Sequence, residues 1–137
     1  MPVLLLLTLI LDLWFVSEEN SHNKGLMKTE DINVAIALIL GWKITKTKGV
    51  WYWTVLDPEG KYVWSGENNL EGMKLIPNFA NDLNEMHEAE KSLEPWQVVS
   101  YMSNLSKVTG NSKTIYHATS LQRAEAFLKT FNKWVAE

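Results

Sequence analysis

The sequence predicts an α+β domain, with about four helices around a small antiparallel sheet that contains a β-hairpin. Three observations carry this. Residues 34–40 are apolar on every side, as in a helix covered on more than one face. The stretch "VWYWTVLDPEGKYVWSGE" is rich in β-branched and aromatic residues and is broken by a turn signal. Three later segments place apolar residues at steps of three and four, each bounded by Pro, Gly or a capping residue.

In chain order, the first helix opens at Thr29, whose side chain suits a cap, with Glu30 and Asp31 in the first turn; Gly41 stops it. The "DPEG" element, residues 57–60, has Pro second and Gly fourth, as a type I turn prefers, and joins strand 50–56 to strand 61–65. Trp51, Trp53 and Val55 share one face of that strand, and Val50, Tyr52, Thr54 and Leu56 the other. A lone hairpin is marginal, so a third strand is required, from 43–47 or from 114–116. A loop with Gly66, Asn68, Asn69 and Gly72 precedes a helix starting at Pro77 or capped by Asn78, with Phe79, Leu83, Met86, Glu90 and Leu93 on one stripe. Pro95 starts another helix, with Val98, Met102 and Leu105 inward and Val99 and Val108 beside them. "TIYHAT" reads as extended. Thr119 and Gln122 form a capping-box pair before a last helix that turns Leu121, Ala124, Leu128, Phe131 and Val135 inward.

Composition excludes several classes of function. The chain has 137 residues, enough for one core, and no cysteine, so disulfides, thiol nucleophiles and thiolate metal sites are absent. Net charge is −3, and residues 27–137 hold twelve basic and thirteen acidic groups, which suits neither a DNA mimic nor strong nucleic-acid binding. The apolar run at 3–16 is interrupted by Asp12 and falls short of the ~20 residues of a membrane-spanning helix. No basic residue precedes it, as a signal peptide would require, so a cytoplasmic protein without membrane attachment is expected. Residues 1–26 then read as an apolar extension that packs on the body or on a second subunit, or as the product of a start assigned upstream of Met27. Residues 27–137 read as a single α+β domain.

The polar stretch "IPNFANDLNEMHEAEKSLE" invites a metal-site reading through Asp82, Glu85, His87 or Glu88. His87 has no second histidine at helical spacing, and a solvated helix face opposite Phe79, Leu83 and Met86 explains the pattern more simply. Glu90 sits on the apolar stripe, where its long stem could snorkel at the edge of the core or its carboxylate could meet a cation. Arg123, the single arginine, stands near a helix start where the macrodipole disfavours it, so a Glu90–Arg123 or Glu125–Arg123 pair is expected. The competing reading has Arg123 grip an anionic ligand bidentately. Lys43, Lys46 and Lys48 precede Trp51, Tyr52 and Trp53, with Trp64 across the hairpin, a mixture of basic and stacking groups that can hold a nucleotide. Most of these rings are expected in the core, with Tyr52 facing outward. His117, two residues before a helix start, has no evident catalytic partner and reads first as structural. The residues assigned to ligand or partner binding are therefore Lys46, Lys48, Tyr52, Trp64, His117 and Arg123. No catalytic residue, metal ligand or cofactor is assigned.

"IPNFANDLNEMHEAE" followed by "HATSLQRAEAFLKTFNKW" resembles small uncharacterised bacteriophage and prophage proteins related to the phage ABA-sandwich domain. The resemblance runs from "MKTEDINVAIALILGWK" to the C-terminus, residues 27–137, and leaves 1–26 outside. It implies a phage origin and a layered α/β/α shape, not a chemistry. The expected function is that of a non-enzymatic accessory protein that binds and inhibits a host protein, such as an antiviral defence component. The alternatives are an oligomeric binder that sequesters a small anionic or nucleotide ligand and, as a minority reading, a metal-dependent enzyme.

Overall fold

A computed structural model describes residues 27–46 and 52–135. The expectations for 1–26 and for Lys48, Val50 and Trp51 lie outside the described residues. Within them, five α-helices accompany one three-stranded antiparallel sheet, and the α+β class holds.

Helix α1, Thr29–Ile39, is the centre of the core: every residue from Asp31 to Leu38 is buried, as its all-round apolar pattern demands. It starts one residue earlier than expected. Lys28 occupies the cap with its carbonyl already accepting from Ile32 N, so Thr29 belongs to the first turn. At the other end Gly41 adopts φ 105°. Trp42 N donates to Ala37 O and Gly41 N to Leu38 O, a Schellman ending that satisfies two carbonyls otherwise left without partners.

The sheet has the order β1 (Lys43–Lys46), β2 (Trp53–Leu56), β3 (Tyr62–Gly66), so the third strand comes from the first of the two segments considered. The "DPEG" turn closes the hairpin. Gly60 N donates to Asp57 O and Asp57 N to Lys61 O, both at 2.9 Å, while Asp57 Oδ1 accepts from Glu59 N and Lys61 N. Gly60 lies at φ 85°, a left-handed position that a side chain would strain. Register places Ile44, Val55 and Trp64 side by side facing the core, and Thr45, Thr54 and Ser65 side by side on the opposite face. A bulge between Val55 and Leu56 sets Tyr62 opposite Leu56.

The loop expected after β3 contains a short helix, α2 (Asn69–Met73), which the two glycines and two asparagines of the segment obscured. Asn68 caps it by accepting from Leu70 N. Both glycines serve Trp64: a Cβ built on Gly66 or on Gly72 would meet the indole at 2.6 Å. The indole thus lies against two bare backbone positions, which lets α2 close on the sheet.

Helix α3, Leu83–Glu90, begins at Asp82 and not at Pro77 or Asn78; Asp82 accepts from Asn84 N and Glu85 N. Residues 77–81 form turns held by buried Asn33 of α1, whose Oδ1 accepts from Ala80 N at 2.9 Å and whose Nδ2 donates to Asn78 Oδ1 at 3.1 Å. Phe79 is buried there outside any helix, and Leu83 is exposed.

Helix α4, Pro95–Thr109, has a capping box from Glu94 and Gln97. It buries Tyr101 and Leu105, while Val98, Val99 and Met102, expected inward or beside the inward stripe, are exposed. "TIYHAT" is not extended: Ser112–His117 is a 3₁₀ helix, with Asn111 accepting from Lys113 N. Helix α5, Ser120–Thr130, opens with the predicted Thr119–Gln122 capping box and buries Ala124, Phe127 and Leu128. Leu121 and Val135 are exposed, Val135 because the helix stops five residues before it.

Gly72→Ala should cost about 1–3 kcal/mol in urea denaturation, because its Cβ would meet the Trp64 indole at 2.6 Å. The penalty should shrink in a Trp64→Leu background, and an unchanged penalty there would show that the indole is not its cause.

Candidate functional site

The Glu90 carboxylate at the end of α3 gathers three side-chain partners. Its Oε1 bonds His87 Nδ1 at 2.7 Å, and its Oε2 accepts from Arg123 Nη1 at 3.1 Å and from the Tyr101 hydroxyl. Arg123 is otherwise committed as well, with Nε donating to Ala118 O and Nη2 to Ile115 O. Three helices therefore meet at one carboxylate, α3, α4 and α5, and Arg123 links the 3₁₀ helix to them. Of the two pairs anticipated for Arg123, the structure forms the one with Glu90; Glu125 instead pairs with Lys129 at 2.7 Å along its own helix. The carboxylate offsets the unfavourable position of a cation near the start of α5.

Sequence reasoning missed Tyr101, although its spacing to Leu105 and Val108 is that of an inward stripe. Its ring packs edge-on to Phe127 with centroids 6.4 Å apart, which aims the hydroxyl at Glu90. Burial holds the Tyr101 phenol well above its ordinary 10.0, reinforced by the hydrogen bond to Glu90 and by that carboxylate's charge; Arg123 opposes the shift.

The residues assigned from sequence do not converge on one surface. Lys46 lies across from Trp53 in the β1–β2 pair, with Nζ 5.8 Å from the indole centroid, in cation–π range. Trp64 is packed inward against the glycines. His117 ends the 3₁₀ helix, exposed, between the two residues whose carbonyls hold Arg123. Tyr52 lies on the other face of the sheet. There its hydroxyl bonds Ser65 Oγ at 3.2 Å, and Ser65 Oγ in turn bonds the Tyr62 hydroxyl at 2.7 Å. Tyr62 is 65% exposed and was not singled out from sequence, because only the bulge brings it to the same side as Ser65. Thr45, Thr54 and Lys43 extend this polar face.

Among the described residues, no group of three His, Asp or Glu side chains could hold a metal ion, and no helix is long and apolar enough to cross a membrane. In comparison with known proteins, no family model, curated protein or solved structure matches this chain.

Two measurements probe the Glu90 cluster. Arg123→Met should destabilise by about 3 kcal/mol, the lower end expected for a largely buried carboxylate left without its cation. The Tyr101 shift has a sign that can be read directly. The folded state keeps its phenolic proton to higher pH than the unfolded chain, so this stability is complete below about pH 10 and is lost as pH rises beyond it. Urea midpoints from pH 8 to pH 11 should therefore fall more steeply above about pH 10 in the parent than in Tyr101→Phe.

Proposed function

We propose that the protein acts by binding another protein and not by catalysis, as a phage-encoded accessory protein that engages and inhibits a host protein in the host cytoplasm. An antiviral defence component is the kind of target the resemblance implies. The observation that carries this reading is the Tyr52–Ser65–Tyr62 face of the sheet. Tyrosine rings presented to solvent are frequent anchors of protein interfaces, since each offers a large apolar surface and a polar tip. Here the shared serine restrains both rings before a partner arrives, which lowers the conformational cost of ordering them on binding. Lys43 and the two threonines give the face a polar rim. The minority metal-enzyme reading has no comparable support, and for the anionic-ligand reading Arg123 has three of its five N–H donors engaged by Glu90, Ile115 and Ala118 and its charge paired with Glu90.

A photo-crosslinking residue placed at Tyr62, and separately at Tyr52, should capture one host protein from prophage-bearing cells. Ser65→Ala, which unties the rings, should reduce capture of that protein several-fold. Failure of both positions to enrich any common protein over a crosslinker at exposed Glu71, behind the sheet, would sink the proposal.

A further inference from the structure

The outer face of the sheet brings two exposed phenols to one serine. Tyr52 is 41% exposed and Tyr62 65%. Thr54 pairs with Ser65 and Leu56 with Tyr62, while Tyr52 directly precedes β2, so the tyrosines stand on either side of the Thr54–Ser65 pair. Both hydroxyls reach Ser65 Oγ, so the phenol oxygens are separated by no more than the length of two hydrogen bonds. The Cε carbons of each ring flank the carbon that carries its oxygen, and they therefore share this approach. The chain has no cysteine, so no thiol competes with the rings for an oxidant. The other two tyrosines are placed differently. Tyr101 is buried with its hydroxyl donating to Glu90, and Tyr116 stands exposed on the 3₁₀ helix.

From this geometry we infer that Tyr52 and Tyr62 form an oxidative cross-linking site, at which a one-electron oxidant of the peroxidase class joins the two rings as dityrosine. Each phenol gives one electron to the oxidant and one proton to water, which both exposed rings meet. The two phenoxyl radicals couple through their Cε atoms. A carbon–carbon bond forms, and the hydrogen on each coupling carbon moves to its oxygen, which restores the aromatic ring. Hydrogen peroxide, the terminal acceptor, takes up the two electrons and two protons and leaves as two molecules of water. Ser65 is a positioning residue in this step. Its hydroxyl can accept from one phenol and donate to the oxygen of the other, which keeps the two ring tips together while one of them is a radical. The product ties the residue before β2 to the start of β3 and restrains the hairpin as a disulfide does in chains with cysteine. The site lies on the face assigned above to a host protein, but the coupling needs no partner and does not depend on that reading.

Dilute, purified full-length protein treated with a haem peroxidase and hydrogen peroxide tests this. The product should keep the size of a single chain and show the blue emission of dityrosine. Trypsin cuts after Lys61, between the two tyrosines, yet their peptides should stay joined, as a pair lighter by two hydrogens than its separate parts. Tyr52→Phe and Tyr62→Phe should each abolish this pair, whereas Tyr101→Phe and Tyr116→Phe should leave it. Ser65→Ala should slow its formation several-fold while the circular dichroism stays that of the parent. Ser65→Thr, which keeps a hydroxyl at that position, should restore the rate. Absence of the joined pair, or tyrosine links found only between chains, would overturn the inference. So would a pair that forms as fast in Ser65→Ala as in the parent, since the serine would then position nothing.

Discussion

One carboxylate organises the helical half of this molecule. Glu90 ends α3, yet its partners come from α4, from α5 and, through Arg123, from the carbonyls closing the 3₁₀ helix. Removing both charges and filling the space with apolar atoms need not destabilise such a group, whereas removing one of them leaves the other stranded. The cluster joins α3, α4 and α5 through side chains that each have a partner. It sets the rotation of α4 about its axis, because Tyr101 must face inward to reach Glu90. That rotation in turn decides that Trp96, Val99 and Met102 face outward.

The sheet is organised differently. Its inner face is fixed by shape, with Ile44 and Val55 buried and Trp64 seated against the glycines of β3 and α2. Its outer face is fixed by hydroxyl contacts among Tyr52, Ser65 and Tyr62. Ring-on-backbone packing tolerates almost no added atom. Exposed hydroxyl contacts tolerate substitution readily, so the outer face is free to vary without unfolding the domain.

What the sequence could convey depended on how local each determinant is. Capping by Thr119 and Gln122, the stop at Gly41 and the "DPEG" turn are decided within a few residues, and all were legible. The inward stripe of α4 was misread because Val98 and Met102 are more apolar than Tyr101, and only a partner eleven residues away explains why the tyrosine goes inside. The start of α3 moved from Pro77 to Asp82 for a similar reason: Asn33, 47 residues away from Ala80, holds the intervening chain in turns. Of the site, the Glu90–Arg123 pair was foreseeable, since an acid on an apolar stripe and a cation at a helix start each lacked compensation. The meeting of Tyr62 with Tyr52 was not, because it follows from a bulge that alternation alone does not reveal.

The Asn33 amide has a consequence for how the chain folds. It ties α1 to the turns before α3, and the chain between them includes the whole sheet and α2. That link cannot form until a loop of that length has closed, so it favours late consolidation, after local helices and the hairpin have appeared. Once made, it couples the fraying of either end of the loop to the other. While the link holds, the sheet opens within a loop whose ends are fixed, which lowers the chain entropy that its melting gains.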